Sequence, residues 1–64
     1  MLKDAKFGDM FLTRNGLKAV FLYKKRDTNS VIIEGYTKQH QYDDEGNWYG
    51  FEEESDLDIV SIWK

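Results

Sequence analysis

Asn15-Gly16 stands between two short apolar runs, residues 10–12 and 19–23. A two-residue turn that matches the twist of its flanking strands needs positive φ at both central positions. Asparagine and glycine reach that region at the lowest cost. The pair therefore predicts a β-hairpin near the start of the chain, and with it an antiparallel all-β domain.

Turn-forming residues divide the rest of the chain into short segments that are typical of strands. We predict five antiparallel strands, at residues 9–13, 17–25, 31–36 with an extension as far as 41 or 42, 48–51 and 59–63. Residues 26–30 are predicted as a polar loop, and Gly35 as a bulge or bend within the third strand. Such short strands with tight turns predict a small, strongly bent sheet or partly open barrel.

The 64 residues allow one small β domain, residues 1–64, with residues 1–6 as a loosely ordered start. A chain of this size buries only about 60% of its unfolded surface. Without cysteine it has no disulfide or thiolate site to stabilise it, so its ten aromatic residues must supply much of the core. We expect Trp48 and Trp63 to be buried or half-buried.

The segment 52–58 allows two interpretations, an acidic loop or one short helical turn near residues 55–58. Ser55 favours the turn, because its hydroxyl can accept hydrogen bonds from free amides two or three residues later. The longest apolar run is five residues, and the first residues lack the pattern of a secretory signal. We therefore expect a cytoplasmic protein without a membrane partner.

Charge is distributed unevenly along the chain. Residues 1–30 carry seven basic and three acidic residues, whereas residues 31–64 carry two basic and nine acidic residues. An overall acidic chain disfavours non-specific nucleic-acid binding. A local basic patch keeps that alternative open, and its members are Arg14, Lys18, Lys24, Lys25 and Arg26.

Catalytic and metal motifs are weak in this sequence. His40 is the only histidine, the serines lack a nucleophile-elbow context, and the glycines are scattered single turns. A calcium-loop spacing that starts at Gln41 lacks the aspartate required at its first position. We predict no enzyme activity, no metal site and no cofactor.

Binding to another protein is the better hypothesis. Exposed aromatic residues beside an acidic segment are suited to a basic partner. Tyr36, Tyr42 and Tyr49 are the tyrosines we expect to be exposed. The candidate partner-binding residues are Glu52, Glu53, Glu54, Asp56, Tyr42 and Tyr49.

Four motifs occur in a recognisable order: Thr13-Arg14-Asn15-Gly16-Leu17-Lys18-Ala19, Val31-Ile32-Ile33-Glu34-Gly35, Asp44-Glu45-Gly46-Asn47-Trp48-Tyr49 and Glu54-Ser55-Asp56-Leu57-Asp58-Ile59-Val60. The chain resembles a group of short uncharacterised proteins of bacteriophages, prophages and bacteria over roughly residues 10–62. Residues 45–49 also resemble part of Src-homology-3-like small barrels. The first resemblance implies a bacterial or phage origin, and the second implies a barrel shape.

The sequence thus predicts a non-catalytic protein-interaction module, monomeric or weakly homo-oligomeric, whose partner is another protein of unknown identity. The alternative is a nucleic-acid accessory protein that uses the basic first hairpin.

Overall fold

Five antiparallel strands form one sheet in the computed structural model, which describes residues 1–49 and 53–63. They are β1 (Met10–Thr13), β2 (Lys18–Lys25), β3 (Thr28–Ile33), β4 (Gln39–Tyr42) and β5 (Ile59–Ile62). The strand order is β4-β3-β2-β1-β5, so β1 to β4 form a meander and β5 returns beside β1. The described residues contain no helix, and the all-β prediction is confirmed.

The turn between β1 and β2 is longer than the Asn15-Gly16 pair predicts. Gly16 has φ +89°, whereas Asn15 does not have positive φ. Thr13 N donates to Leu17 O at 2.9 Å, so the loop has three residues and ends in the left-handed glycine. Thr13 Oγ1 accepts from Leu17 N at 2.9 Å and donates to Asn15 Oδ1, which stabilises this wider turn.

The predicted loop 26–30 is wrong beyond its first two residues. Lys25 pairs with Thr28, so only Arg26 and Asp27 connect β2 to β3, and Arg26 has φ +59°. Asn29 and Ser30 are buried strand residues. The Asn29 amide donates to Tyr42 O and to Asp44 Oδ1, and the Ser30 hydroxyl donates to Gln41 Oε1 at 2.9 Å. These bonds satisfy polar groups that would otherwise favour a loop.

The single long third strand is also wrong, because the chain reverses at Glu34-Gly35. Gly35 has φ +87°, and Tyr36 N donates to Ile33 O at 2.9 Å to close the turn. β4 then pairs antiparallel with β3, with His40 opposite Val31. Glycine permits this reversal without the steric cost that a Cβ would bring.

The predicted fourth strand at 48–51 is reduced to one isolated bridge between Trp48 and Tyr42. Gly50 and Phe51, which belonged to that prediction, lie outside the described residues. The last predicted strand is confirmed as β5. Residues 55–58 form one hydrogen-bonded turn, with Asp58 N bonded to Ser55 O at 3.0 Å and Leu57 N bonded to Ser55 Oγ at 3.1 Å.

One face of the sheet carries the core. Its buried strand residues are Phe11, Ala19, Phe21, Val31, Ile33, Tyr42 and Ile59, and Leu57 packs with them. Leu2 is also fully buried, and its N–H donates to Asp44 O at 2.9 Å. The start of the chain, predicted as loose, is therefore anchored in the core at Leu2.

Candidate protein-interaction site

The acidic segment lies against the tip of the first hairpin. Arg14 N donates to Asp58 O at 2.8 Å, and Asn15 N donates to Asp56 O at 2.9 Å. These bonds hold a turn whose carboxylates reach solvent, because Glu53, Glu54 and Asp56 are exposed. Glu52, the fourth predicted acid, lies outside the described residues.

Asp58 joins three parts of this site through one carboxylate. The residue is 2% exposed. Its Oδ1 accepts from Trp48 N at 3.0 Å, and its Oδ2 accepts from Ser55 N at 2.9 Å. The guanidinium of Arg14 lies 3.6 Å from Oδ2 and balances the buried charge. Asp58 thereby places the backbone of Trp48 beside the acidic segment.

The Arg14 side chain contacts the acidic segment, residues 53–58. Its Nη1 lies 3.3 Å from Glu54 Oε2, and its Nε donates to Ser55 O at 3.3 Å. A residue predicted for nucleic-acid contact thus neutralises part of the predicted protein-binding segment. Glu53 and Asp56 have no ion pair among the described residues, and they are the acids best placed for a partner.

Three ring side chains form a row that ends at Trp48, whose N–H bonds to Asp58 and whose side chain packs, partly buried, against the core. The rings of Tyr36 and His40 are 5.2 Å apart at 90°, and those of His40 and Trp48 are 5.4 Å apart at 50°. We call Tyr36, His40 and Trp48 the aromatic row. Tyr49 follows it as an exposed residue, with its N–H bonded to Gln41 O at 2.8 Å.

His40 joins this row although the sequence pattern did not indicate it. The β3–β4 register places His40 opposite the buried Val31, on the core side of the sheet. Its Nδ1 is buried and has no hydrogen-bond partner among the described residues. The signal that sequence reasoning missed is the turn at Gly35, which makes residues 39–42 a separate strand with His40 and Tyr42 on one face.

Tyr42 was predicted to be exposed, and this prediction is wrong because it is fully buried. Its phenol donates to Leu57 O at 2.6 Å. Burial raises the pKa of Tyr42, and the nearby charge of Asp58 raises it further. The ring is therefore part of the core that supports the site, and it is not a contact for a partner.

Replacing Tyr42 with phenylalanine should lower the unfolding free energy at neutral pH by about 1–3 kcal/mol, because the buried Leu57 carbonyl loses its donor.

The same substitution should change how stability depends on pH. Because the pKa of Tyr42 is raised in the folded state, its neutral phenol contributes to stability. That contribution is complete below the ordinary tyrosine value of about 10 and is lost as pH rises toward the folded value. Urea unfolding from pH 7 to 11 should show a smaller alkaline loss in the variant. Tyr23→Phe, at an exposed tyrosine, is the control, and equal alkaline losses in both variants would contradict this assignment.

The basic residues do not form one free patch. Lys18 and Lys24 lie toward opposite ends of β2, and at about 3.3 Å per residue they are roughly 20 Å apart. Lys24 Nζ bonds to Asp44 Oδ1, and Lys18 Nζ lies 5.6 Å from the ring centroid of Trp63, an indole that remains exposed against expectation. The nucleic-acid interface stays a prediction, with Lys25 and Arg26 as its exposed members whose side chains have no described ion pair.

Carboxylates of the turn after β4 are used within the fold. Asp43 Oδ1 accepts from Glu45 N and Asn47 N, both at 2.9 Å. Hydrogen bonds from Lys24 and then Asn29 lower the pKa of Asp44. In residues 1–49 and 53–63, no three side chains of the metal-ligating types group together as a metal site.

Comparison with known proteins finds no matching family model, no matching curated protein and no matching solved structure. The likeness to phage and bacterial proteins, and to Src-homology-3-like barrels, therefore stays a prediction. Within the described ranges, no helix has the length and apolar character needed to cross a membrane.

Proposed function

We propose that this chain is a non-catalytic protein-interaction module of bacterial or phage origin. Its docking surface consists of the aromatic row, Tyr49 and the exposed acids Glu53 and Asp56. The partner is a basic segment of another protein. The likeness to short bacteriophage and bacterial proteins supports the origin, and the geometry of the site supports the partner's charge.

The observation that carries this proposal is the bridging carboxylate of Asp58. Its two oxygens bind the backbone of Trp48 and of Ser55, which belong to the aromatic and acidic parts of the surface. A lysine or arginine can lie against an aromatic face and still reach a carboxylate. Such cation–π contacts contribute about 0.5–1 kcal/mol each at exposed sites.

Electrostatics favour this surface over the basic one. Among the described residues, Arg14 is the cation that contacts the acidic segment, and it pairs with Glu54 and Asp58. Glu53 and Asp56 keep their charge available to a partner. Charges at the rim of an interface act mainly on the association rate and are screened by salt.

An NMR titration tests the proposal with a synthetic peptide that alternates arginine and glycine as the probe. We expect amide shifts at Tyr36, His40 and Trp48 and at residues 53–56, and binding that weakens as salt is added. Reversal of two charges, Glu53→Lys with Asp56→Lys, should weaken binding about tenfold, which corresponds to about 1.4 kcal/mol.

The matched control is Asp27→Lys, which adds positive charge at the exposed β2–β3 turn, away from this surface. It should change affinity less than about twofold, a difference of under ~0.5 kcal/mol. Asp27→Lys changes the net charge half as much as the double reversal, so a loss of about threefold in this variant would show that only net charge matters, and this would contradict a defined site. A parallel titration with single-stranded DNA that shifts Lys25 and Arg26 would favour the nucleic-acid alternative.

A further inference from the structure

β5 is the last strand in the sheet order, and most of its outer edge is unpaired among the described residues. One bond covers its first residue, from Ile59 N to Gly46 O at 2.8 Å. No backbone group of residues 1–49 or 53–63 pairs with the outer side of Ile62. The edge therefore offers hydrogen-bonding groups to another strand.

The direction of these groups follows from the β1–β5 ladder. Trp63 N donates to Met10 O at 3.1 Å, and Phe11 lies opposite Ile62. In an antiparallel ladder this arrangement makes Phe11–Ile62 a pair without mutual hydrogen bonds. The N–H and C=O of Ile62 therefore point away from β1, toward the open side of the sheet.

The side chains along this edge are apolar and accessible. Ile62 is 63% exposed, Val60 is 38% exposed, and Trp63 is also exposed. No residue from Ile59 to Trp63 carries a charge. Natural edge strands are protected by lysine, proline, inward-pointing charges, β-bulges or short length. β5 has no lysine, proline or charge between residues 59 and 63, but it has only four residues and is bulged at Val60, so the edge open to pairing is the stretch around Ile62.

We propose that β5 pairs antiparallel with β5 of a second copy of this chain, across a two-fold axis at Ile62. Ile62 O already accepts from the Ser61 hydroxyl at 3.1 Å, and a carbonyl oxygen has a second lone pair. A second copy fits because Ile62 N–H and this second lone pair supply a donor and an acceptor, so two copies exchange two equivalent bonds in an isologous contact. Residues 59–63 carry no charge of their own, and a described cation beside them is Lys18, whose Nζ lies 5.6 Å from the ring centroid of Trp63.

The size of the contact sets its strength. Stable interfaces bury about 800 Å² per partner, and one short edge strand covers well below that. The dimer is therefore weak and forms only at high protein concentration. Each copy carries a formal charge of −3, so added salt should strengthen the association by screening the repulsion between copies.

Sedimentation equilibrium between about 10 µM and about 1 mM protein covers the affinity range expected for so small a contact. The average mass should rise from the 7.6 kDa of the monomer toward twice that value, and more steeply at high salt. Ile62→Lys should remain monomeric at the highest concentration, because it places two like charges face to face. Since Ile62 is largely exposed, the variant should keep its fold, and its urea midpoint checks this.

Tyr23→Lys is the matched control, because Tyr23 is an exposed aromatic residue on β2, which is separated from β5 by β1. It should self-associate like the wild type. A wild type that stays monomeric, or an Ile62→Lys variant that associates equally well, would overturn the proposal. Salt separates this contact from the proposed peptide site, because salt strengthens the former and weakens the latter.

Discussion

Alanine at Gly46 is expected to destabilise the protein by about 3 kcal/mol or more, through two separate effects. Gly46 has φ +92°, a region that costs an L-residue about 1–2 kcal/mol. In addition, a Cβ at this position would lie 2.7 Å from Ile59 O, which is a backbone atom of β5 and cannot move aside as a flexible side chain could. Because Gly46 O accepts from Ile59 N, any shift that relieves the clash weakens this bond.

Urea unfolding followed by tryptophan fluorescence measures this loss. A domain of this size has a total stability of about 3–10 kcal/mol, so the loss is between about a third and the whole of it, and at the low end much of the Gly46→Ala population should be unfolded without denaturant. Gly35→Ala is the matched control. Gly35 has φ +87° but nothing lies within 4 Å of its added Cβ, so only the backbone cost of about 1–2 kcal/mol remains. Equal losses at both glycines would contradict the steric part of the argument.

Asparagine at Asp58 should lower the unfolding free energy by about 2–4 kcal/mol. The substitution keeps the side-chain shape but replaces one carboxylate oxygen with an N–H₂ group. That group would face either Trp48 N–H or Ser55 N–H, so two donors would meet without an acceptor. Arg14 would also lose the buried negative charge that it balances.

The neighbouring Asp56→Asn isolates this effect, because Asp56 is exposed and its side chain has no described hydrogen bond. It should change stability by less than about 0.5 kcal/mol. Amide spectra of Asp58→Asn should show the largest changes at Trp48 and Ser55. Small and equal losses for both variants would mean that the carboxylate of Asp58 does not hold the site together.

Local sequence patterns correctly predicted β1, β2 and β5, because the turns that delimit these strands lie close to them in sequence. The apolar runs of β1 and β2 flank a glycine turn, and β5 follows a turn at Ser55. For each of these strands, the residues that predict it therefore lie within a few positions of it. The turn at Asn15-Gly16 was placed correctly, although its type was not. Its wider form depends on the hydroxyl of Thr13, which bonds both to Leu17 N and to Asn15.

Distant partners explain what the sequence did not predict. Asn29 has a loop-forming side chain, but it is buried because Tyr42 O and Asp44 Oδ1 accept its amide hydrogens at 3.1 and 3.0 Å. Tyr42 is buried because Leu57 O accepts its hydroxyl, and Leu2 is held by Asp44 O. None of these partners is a neighbour in sequence.

The candidate site was predicted in part. Charge alone indicated the acidic segment, and the structure places Glu53, Glu54 and Asp56 at the surface. The aromatic row depends on the β3–β4 register and on the bridge between Tyr42 and Trp48, which only tertiary structure supplies. The same is true of Arg14, whose pairing with Glu54 and Asp58 joins residues forty or more positions apart.

The position of β5 beside β1 has a consequence for how the chain folds. β1 pairs with β2 through a short turn on one side. On its other side β1 pairs with β5, whose residues come almost fifty positions later in the chain. Closing the long loop between β1 and β5 costs chain entropy, and this cost comes before the core contacts that stabilise the pairing are formed. Refolding should therefore be slow for so small a domain, and fragments that lack β5 should not fold, since β1 has its second partner strand only when β5 is present.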